Sequence, residues 1–325
     1  MKLLFELSGE HPNLPFAELE CVGRITDRHP QIAVAECLDP AATTRLALTH
    51  TVMEYLGECA PTAPALAALL DDLTLSTDRP FAARVKVIPG PGEYPSQLDL
   101  ERLIGSHIKG PVSLRSPEVV YRAVISGDRC YFGRVVLDGL RSTYEIRGPA
   151  TRPFFHPGVM MPRMARTMVN LSLVSPGEVM YDPFCGTGGM LLEGELIGVR
   201  TVGSDFDPLM IRGSHLNVPA ARLMLADATA LPLESSSVDA VVTDFPYGQS
   251  VCIKADTLNA LYEGALSEIR RVLKDGKRAV VITHRDIRPI AREYFTVLQF
   301  HEQRVHKSLT RRVMVLEKGN PADHS

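Results

Sequence analysis

The chain of 325 residues contains no tryptophan, an absence that by itself separates no function classes. Other absences exclude more. Six cysteines, Cys21, Cys37, Cys59, Cys130, Cys185 and Cys252, are scattered without a C-x-x-C pair. That spacing argues against a zinc knuckle or a disulfide framework and for a reducing cytoplasm. None of the ten histidines falls in a ligand-spaced cluster. His156, His215 and His306 therefore read as packing or hydrogen-bonding residues, and no metal is expected in this chain. No apolar run approaches the length of a membrane span. The opening "MKLLFELSGEHPNLPF" has one lysine and no apolar stretch of signal-peptide length. No internal repeat and no low-complexity segment is visible.

What is present is ordinary in bulk. Hydrophobic residues make up 45% and charged residues 22%, as in soluble globular proteins, and the length fits two domains. Net charge is −3, which speaks against a nucleic-acid partner until its distribution is considered. Residues 1–99 carry 7 Lys+Arg against 14 Asp+Glu, whereas residues 100–152 carry 9 against 5. The basic block is Arg102, Lys109, Arg115, Arg122, Arg129, Arg134, Arg141, Arg147 and Arg152. Charge alone leaves two readings open: a surface that holds phosphates, or solvated strand ends.

A seam lies at 137–172, first rich in Gly, Pro and Arg, then helical with Met160, Met164, Met168 and Leu171 at spacings of three and four. Before it, "KLLFEL" and "QIAVAEC" read as strands and "PFAELECVGRI" and "PALAALLDDL" as helices. "EVVYRAVI" and "CYFGRVVL" read as paired strands joined by "SGDR". This half is α+β. After the seam, strand and helix alternate: "EVMYD", "GGMLLEGELIG", "RTVGSD", "DPLMIRGSHLN", "RLMLAD", "VDAVVTD", "DTLNALYEGALSEIRRVL" and "KRAVVIT". Such alternation predicts a mostly parallel, doubly wound α/β sheet. Ligands of these sheets bind beyond the carboxyl ends of the strands. The tail "KGNPADHS" is expected to fray.

Four strand ends are polar in order. The first runs into "DPFCGTGG" (182–189), where Gly186, Gly188 and Gly189 allow close backbone approach to a ligand. This turn is neither the G-x-G-x-x-G fingerprint nor a P-loop. The second ends "GSDFD". An acidic residue about 20 positions beyond a glycine-rich turn suits ribose hydroxyls. Of its two carboxylates, Asp205 is expected to bind and Asp207 to cap the next helix. The third ends "LADATALP", where Asp227 can face an adenine amine. The fourth is "VVTDFPYG" (241–248). Cys185, with no base in sequence reach, reads as a small packed residue.

These strand ends resemble a class I S-adenosylmethionine-dependent methyltransferase of the amino-methylating kind, whose hallmark is [DNS]-P-P-[YFW]. Here it stands as Asp244-Phe245-Pro246-Tyr247, with Phe245 in place of the first proline. "RPFFHPGVMMPRMARTMVNLS" (152–172), "HKSLTRRVMVLEK" (306–318) and "ELSGEHPNLPFAELE" (6–20) extend the similarity over nearly the whole chain, to the archaeal tRNA guanine-10 N2-methyltransferases. The resemblance implies a ferredoxin-like and THUMP RNA-binding half (1–145), a linker and leading helix (146–172), a Rossmann-like methyltransferase domain (173–318) and a tail (319–325). It implies S-adenosyl-L-methionine held by Asp182, Phe184, Gly186, Gly188, Asp205, Asp227 and Ala228. Catalysis falls to Asp244, Pro246 and Tyr247. With an RNA-binding module ahead of the catalytic half, the basic block turns toward tRNA, through Lys109, Arg115, Arg122, Arg134 and Arg152, with Arg163 and Arg166 extending it.

The resemblance also implies transfer to N2 of a tRNA guanosine, at position 10. It admits a small zinc-binding activator subunit, since related enzymes work alone or with one. Two alternatives stand beside it: an amino-methyltransferase acting on DNA adenine or cytosine, and a cofactor-less RNA-binding protein.

Overall fold

The computed structural model describes residues 1–91, 93–247, 255–306 and 309–319. Gly248, Cys252, the side chain of His306 and the tail from Asn320 lie outside the described residues. The chain divides into two compact units, Met1–Arg141 and Ser142–Ser325.

In the first unit the strands are β1 (Lys2–Leu7), β2 (Gly23–His29), β3 (Ile32–Cys37), β4 (Thr49–Cys59), β5 (Leu75–Ser76), β6 (Phe81–Val87), β7 (Ile108–Lys109), β8 (Val119–Ser126) and β9 (Arg129–Asp138). Its helices are α1 (Leu14–Glu18), α2 (Ala63–Asp72) and α3 (Gln97–Ser106). Seven strands form one sheet in the order β2-β3-β1-β4-β9-β8-β6; β5 and β7 pair separately. Alternation along β1 sends Leu3, Phe5 and Leu7 into one core with Phe16 and Leu19. Leu4 goes to the other face with Val34, Met53 and Tyr131. The β8–β9 hairpin forms as the sequence predicts, with Gly127 at φ +61° in its turn.

The helix expected over "PFAELECVGRI" is shorter. It ends at Glu18, a 3-10 turn follows to Cys21, and Gly23 opens β2. Gly23 decides this, because a Cβ there would lie 2.4 Å from the Glu36 carbonyl oxygen of the paired strand β3.

The second unit contains α4 (Ser142–Glu145), α5 (Pro162–Leu171), β10 (Val179–Asp182), α6 (Gly189–Glu195), β11 (Arg200–Asp205), α7 (Pro208–Asn217), β12 (Arg222–Leu225), β13 (Val238–Asp244), α8 (Ala255–Val272), β14 (Leu273–Thr283), α9 (Arg288–Tyr294), β15 (Thr296–His306) and β16 (Leu309–Glu317). Met164, Met168 and Leu171 are buried on α5; Met160 is buried too, but precedes the helix. The sheet order is β12-β11-β10-β13-β14-β16-β15. The β12–β14 series pairs in parallel, and β16 runs antiparallel to both β14 and β15. The order reverses between β10 and β13. That switch point opens a crevice beyond two adjacent carboxyl ends, where Asp182 and Asp244 stand.

Candidate active site

A cavity of about 690 Å³ lies at this switch point, within the range of roughly 300–1,000 Å³ usual for small-molecule sites. Asp182, Phe184, Gly186, Asp244, Pro246 and Tyr247 line it, together with the 156–161 loop, Gly189, Met210 and Arg311. Strand pairing brings the two ends together: Met180 is in register with Ala240 and Tyr181 with Val241.

Asp182 is buried, and its Oδ1 accepts from the Phe184 N–H at 3.1 Å. Burial pushes its pKa up to about 7, opposed by the Thr243 hydroxyl and the Phe184 N–H and assisted by the charges of Asp205 and Asp244. Burial likewise raises Asp244 to about 6, against the Tyr247 hydroxyl and the Arg311 charge. The Tyr247 hydroxyl donates to Asp244 Oδ1 at 2.9 Å, and its ring lies 5.1 Å from that of His284. Asp244 is thus an oriented carboxylate in a low-dielectric pocket.

Phe245 departs from the hallmark proline for a structural reason. Its ring is buried, 5.2 Å from both Phe184 and Tyr262. Its N–H donates to the Ile282 carbonyl at 2.9 Å, a bond that proline cannot make. The Tyr262 hydroxyl donates to the Pro246 carbonyl at 2.8 Å and holds the loop from the other side.

The remaining cofactor candidates are placed differently. Gly186 sits at φ +50° with open space where a Cβ would be. Gly188, at φ +80°, does not face open space: a Cβ there would lie 2.5 Å from Ser214 Oγ and 2.9 Å from Val218. Its glycine serves packing against α7. Asp205 Oδ2 accepts from the Gly186 N–H and Oδ1 from the Asp207 N–H, each at 2.9 Å. Asp207 caps α7 through the Leu209 N–H at 2.7 Å, as expected. Asp227 is exposed, and its Oδ1 accepts from both the N–H and the hydroxyl of Thr229; Ala228 is buried. Asp205, Asp227 and Ala228 are not among the cavity lining. Cys185 is buried, which raises its thiol pKa well above the usual range, in keeping with a packed residue.

Sequence reasoning missed Arg311 and His284. Antiparallel β16 begins where β14 ends, so Arg311 arrives at the carboxyl edge of the parallel strands. No local pattern carries that signal. Among the described residues, no group of three or more His, Cys, Asp or Glu is arranged to hold a metal.

The basic residues fare unevenly. Lys109 and Arg115 are exposed. Arg122 instead pairs at 2.9 Å with buried Glu6, which also binds Lys86. Arg134 pairs with Glu54 at 2.7 Å. In the second unit, Arg166 is buried against Glu193, and all three guanidinium nitrogens of Arg152 are buried as well. Neither can belong to an exposed phosphate-binding face, which corrects the expectation for both.

The sheet order, the glycine-rich turn and the acidic strand ends define a class I methyltransferase domain. The RMKL-like methyltransferase domain family (UPF0020) matches residues 149–313. The tRNA (guanine(10)-N2)-dimethyltransferase of Methanothermobacter thermautotrophicus is 33% identical over 98% of this chain and 100% of its own. That of Methanocaldococcus jannaschii is 31% identical over 77% and 74%. Crystallised TrmN from Thermus thermophilus has the same fold, with a TM-score of 0.54 at 20% identity over 98% of this chain and 100% of its own. The chain belongs to the tRNA (guanine(10)-N2)-dimethyltransferase family. No helix among the described residues is long and apolar enough to cross a membrane.

A fold of this kind works with a cofactor of the S-adenosylmethionine type. The residues present fit it: two carboxylates suit a cation, and Gly186 leaves open space beside the cavity.

Proposed function

We propose that this chain transfers the methyl group of S-adenosyl-L-methionine to the exocyclic N2 of guanosine at position 10 of tRNA, in the cytoplasm. The observation that carries this reading is Asp244, a half-buried carboxylate at the switch point, oriented by Tyr247 within the cavity. The guanine amino group is a poor nucleophile because its lone pair is delocalised into the ring. A carboxylate accepting a hydrogen bond from N2–H draws that lone pair out of conjugation and stabilises the developing positive charge.

When bound, the cofactor supplies an electrophilic methyl on a sulfonium. Asp182, Phe184 and Gly186 would hold it. Pro246, tied through its carbonyl to Tyr262, keeps the Asp244 loop in place. Tyr247 has a double role: its hydroxyl orients Asp244, and its ring offers a face to an extruded base. Lys109 and Arg115 would contribute phosphate contacts.

Incubating the purified chain with cofactor and a tRNA transcript carrying G10, then mapping modified nucleosides by mass, tests the proposal. Methylation on N2 of G10, lost when G10 becomes adenosine, is the expected result. Methylated adenine or cytosine in DNA, with none in tRNA, would favour the DNA reading instead. Activity of the purified chain without a second polypeptide also decides whether the activator subunit is required.

A further inference from the structure

We propose that Arg311 recognises O6 of the target guanine, so that Asp244 and Arg311 together read the base by its amino and oxo groups. The inference rests on the guanosine reading above and deepens it.

Position is the first argument. Arg311 is half-buried on β16 and lines the cavity with Asp244, Pro246 and Tyr247. Asp244, at the end of β13, is in register with Ile282 of β14. Thr283, the last residue of β14, is in register with Arg312 of antiparallel β16. Arg311 therefore stands just beyond the carboxyl end of β14, on the same edge of the sheet as Asp244. Its guanidinium donates to the Tyr247 oxygen, and the Tyr247 hydroxyl donates in turn to Asp244 Oδ1 at 2.9 Å. One tyrosine thus spaces the cation from the carboxylate, and its hold on Oδ1 leaves Oδ2 for a substrate N–H.

The second argument is what this guanidinium leaves unspent. Among the described residues it bonds a hydroxyl rather than a carboxylate, although its charge acts on Asp244. Of its three nitrogens only Nε is enclosed without a partner. A planar fork of five donors beside the cavity calls for an acceptor on the ligand.

Guanine supplies that acceptor. Its Watson–Crick edge carries the N2 amino group and the O6 oxo group on either side of N1–H. An ionised carboxylate only accepts hydrogen bonds, and a guanidinium only donates them. With Asp244 on N2–H, Arg311 is matched to O6, an oxygen that arginine reads well. Adenine has no oxo group on that edge, so the donor aimed at O6 would lose its acceptor, a loss that a desolvated site penalises strongly.

The test uses two tRNAs that differ only at position 10, which carries guanosine or 2-aminopurine riboside. The second keeps the 2-amino group and lacks O6. Single-turnover methyl transfer is measured with the full chain as wild type, Arg311→Met and Arg311→Lys. Differences in pairing and intrinsic reactivity between the two tRNAs are common to all three proteins and cancel when the proteins are compared. We expect Arg311→Met to slow transfer to guanosine by about 10- to 100-fold, the range for a lost hydrogen bond to a charged group. Transfer to 2-aminopurine should change by less than about threefold, and Arg311→Lys should lose less on guanosine because it keeps a cationic donor. Calorimetric affinity for S-adenosylhomocysteine should stay within about twofold. Equal slowing on both bases would overturn the proposal, because a phosphate contact or a displaced Tyr247 makes no distinction at O6. An unchanged rate on guanosine would overturn it too. A wild-type chain that methylates neither tRNA would sink the guanosine reading itself, and this inference with it.

Discussion

At the residue scale, two carboxylates with raised pKa values make separate predictions. Asp244 accepts hydrogen bonds best when ionised, and burial raises its pKa to about 6. Single-turnover methyl transfer at saturating cofactor should therefore fall as pH drops through about 6 and level off above it. Asp244→Asn should remove that inflection. Asp244→Ala should slow transfer by about 100-fold or more, with much smaller changes in tRNA and cofactor affinity. A variant with an unchanged rate and weakened binding would make Asp244 a docking residue. Asp182 predicts a stability effect. Its folded pKa, about 7, lies above the ordinary 3.8. Its contribution is fully present below pH 4 and is lost as pH rises through 7. Without added cofactor, Asp182→Asn should therefore melt at a higher temperature than wild type at pH 8, by up to about 4 kcal/mol in stability. The difference should vanish near pH 4. A constant offset across that range would refute the burial cost assigned to Asp182.

At the element scale, the glycine-rich turn separates two jobs that its sequence does not distinguish. Gly188 permits close packing of the turn on α7, and Gly186 faces open space. Gly188→Ala should therefore lower stability by about 2 kcal/mol or more, because the added methyl meets Ser214 and Val218 at a strained φ. Chemical denaturation measures this directly; an unchanged midpoint would show that α7 yields. The same scale explains Phe245. The hallmark tolerates it because β13 continues its ladder one residue past Asp244, through the bond to Ile282. The paired strands β8 and β9 were legible because both are runs rich in β-branched and aromatic residues and a Gly-Asp turn joins them. β2 was not, since its Arg24, Asp27 and Arg28 resemble a polar helix end and only β3 makes it a strand.

At the scale of the whole molecule, net charge is a poor guide to partners. Four residues of the basic block are paired at the surface: Arg102 with Asp99, Arg129 with Glu58, Arg134 with Glu54 and Arg141 with Glu10. Exposed pairs of this kind contribute little stability and can open for a phosphate. Arg122 differs because its partner Glu6 is buried. Combining Lys109→Glu and Arg115→Glu should weaken tRNA binding and flatten its salt dependence by about one unit of slope per residue. Cofactor affinity should not change. Arg122→Ala should act chiefly on stability, by leaving the Glu6 carboxylate short of a partner. Filter-binding titrations at several salt concentrations, beside melting curves, tell these outcomes apart. An unchanged slope in the double variant would remove Lys109 and Arg115 from the RNA surface.

By itself the sequence determined the alternation of strands and helices in the second unit, the order of its polar strand ends and the Asp244-Phe245-Pro246-Tyr247 loop. These follow from hydrophobic period and turn chemistry, which act over a few neighbouring residues. It also separated Asp207 from Asp205, because an Asp before Pro-Leu is a local capping signal. Tertiary structure alone decided which glycine faces open space, since that depends on α7 lying behind Gly188. It alone brought Arg311, 67 positions further along the chain, to Asp244, through an antiparallel strand. And it alone moved Arg152 from an expected RNA surface to the interior. A charge reads as exposed in sequence unless its burial can be seen, and burial is set by contacts between residues far apart along the chain.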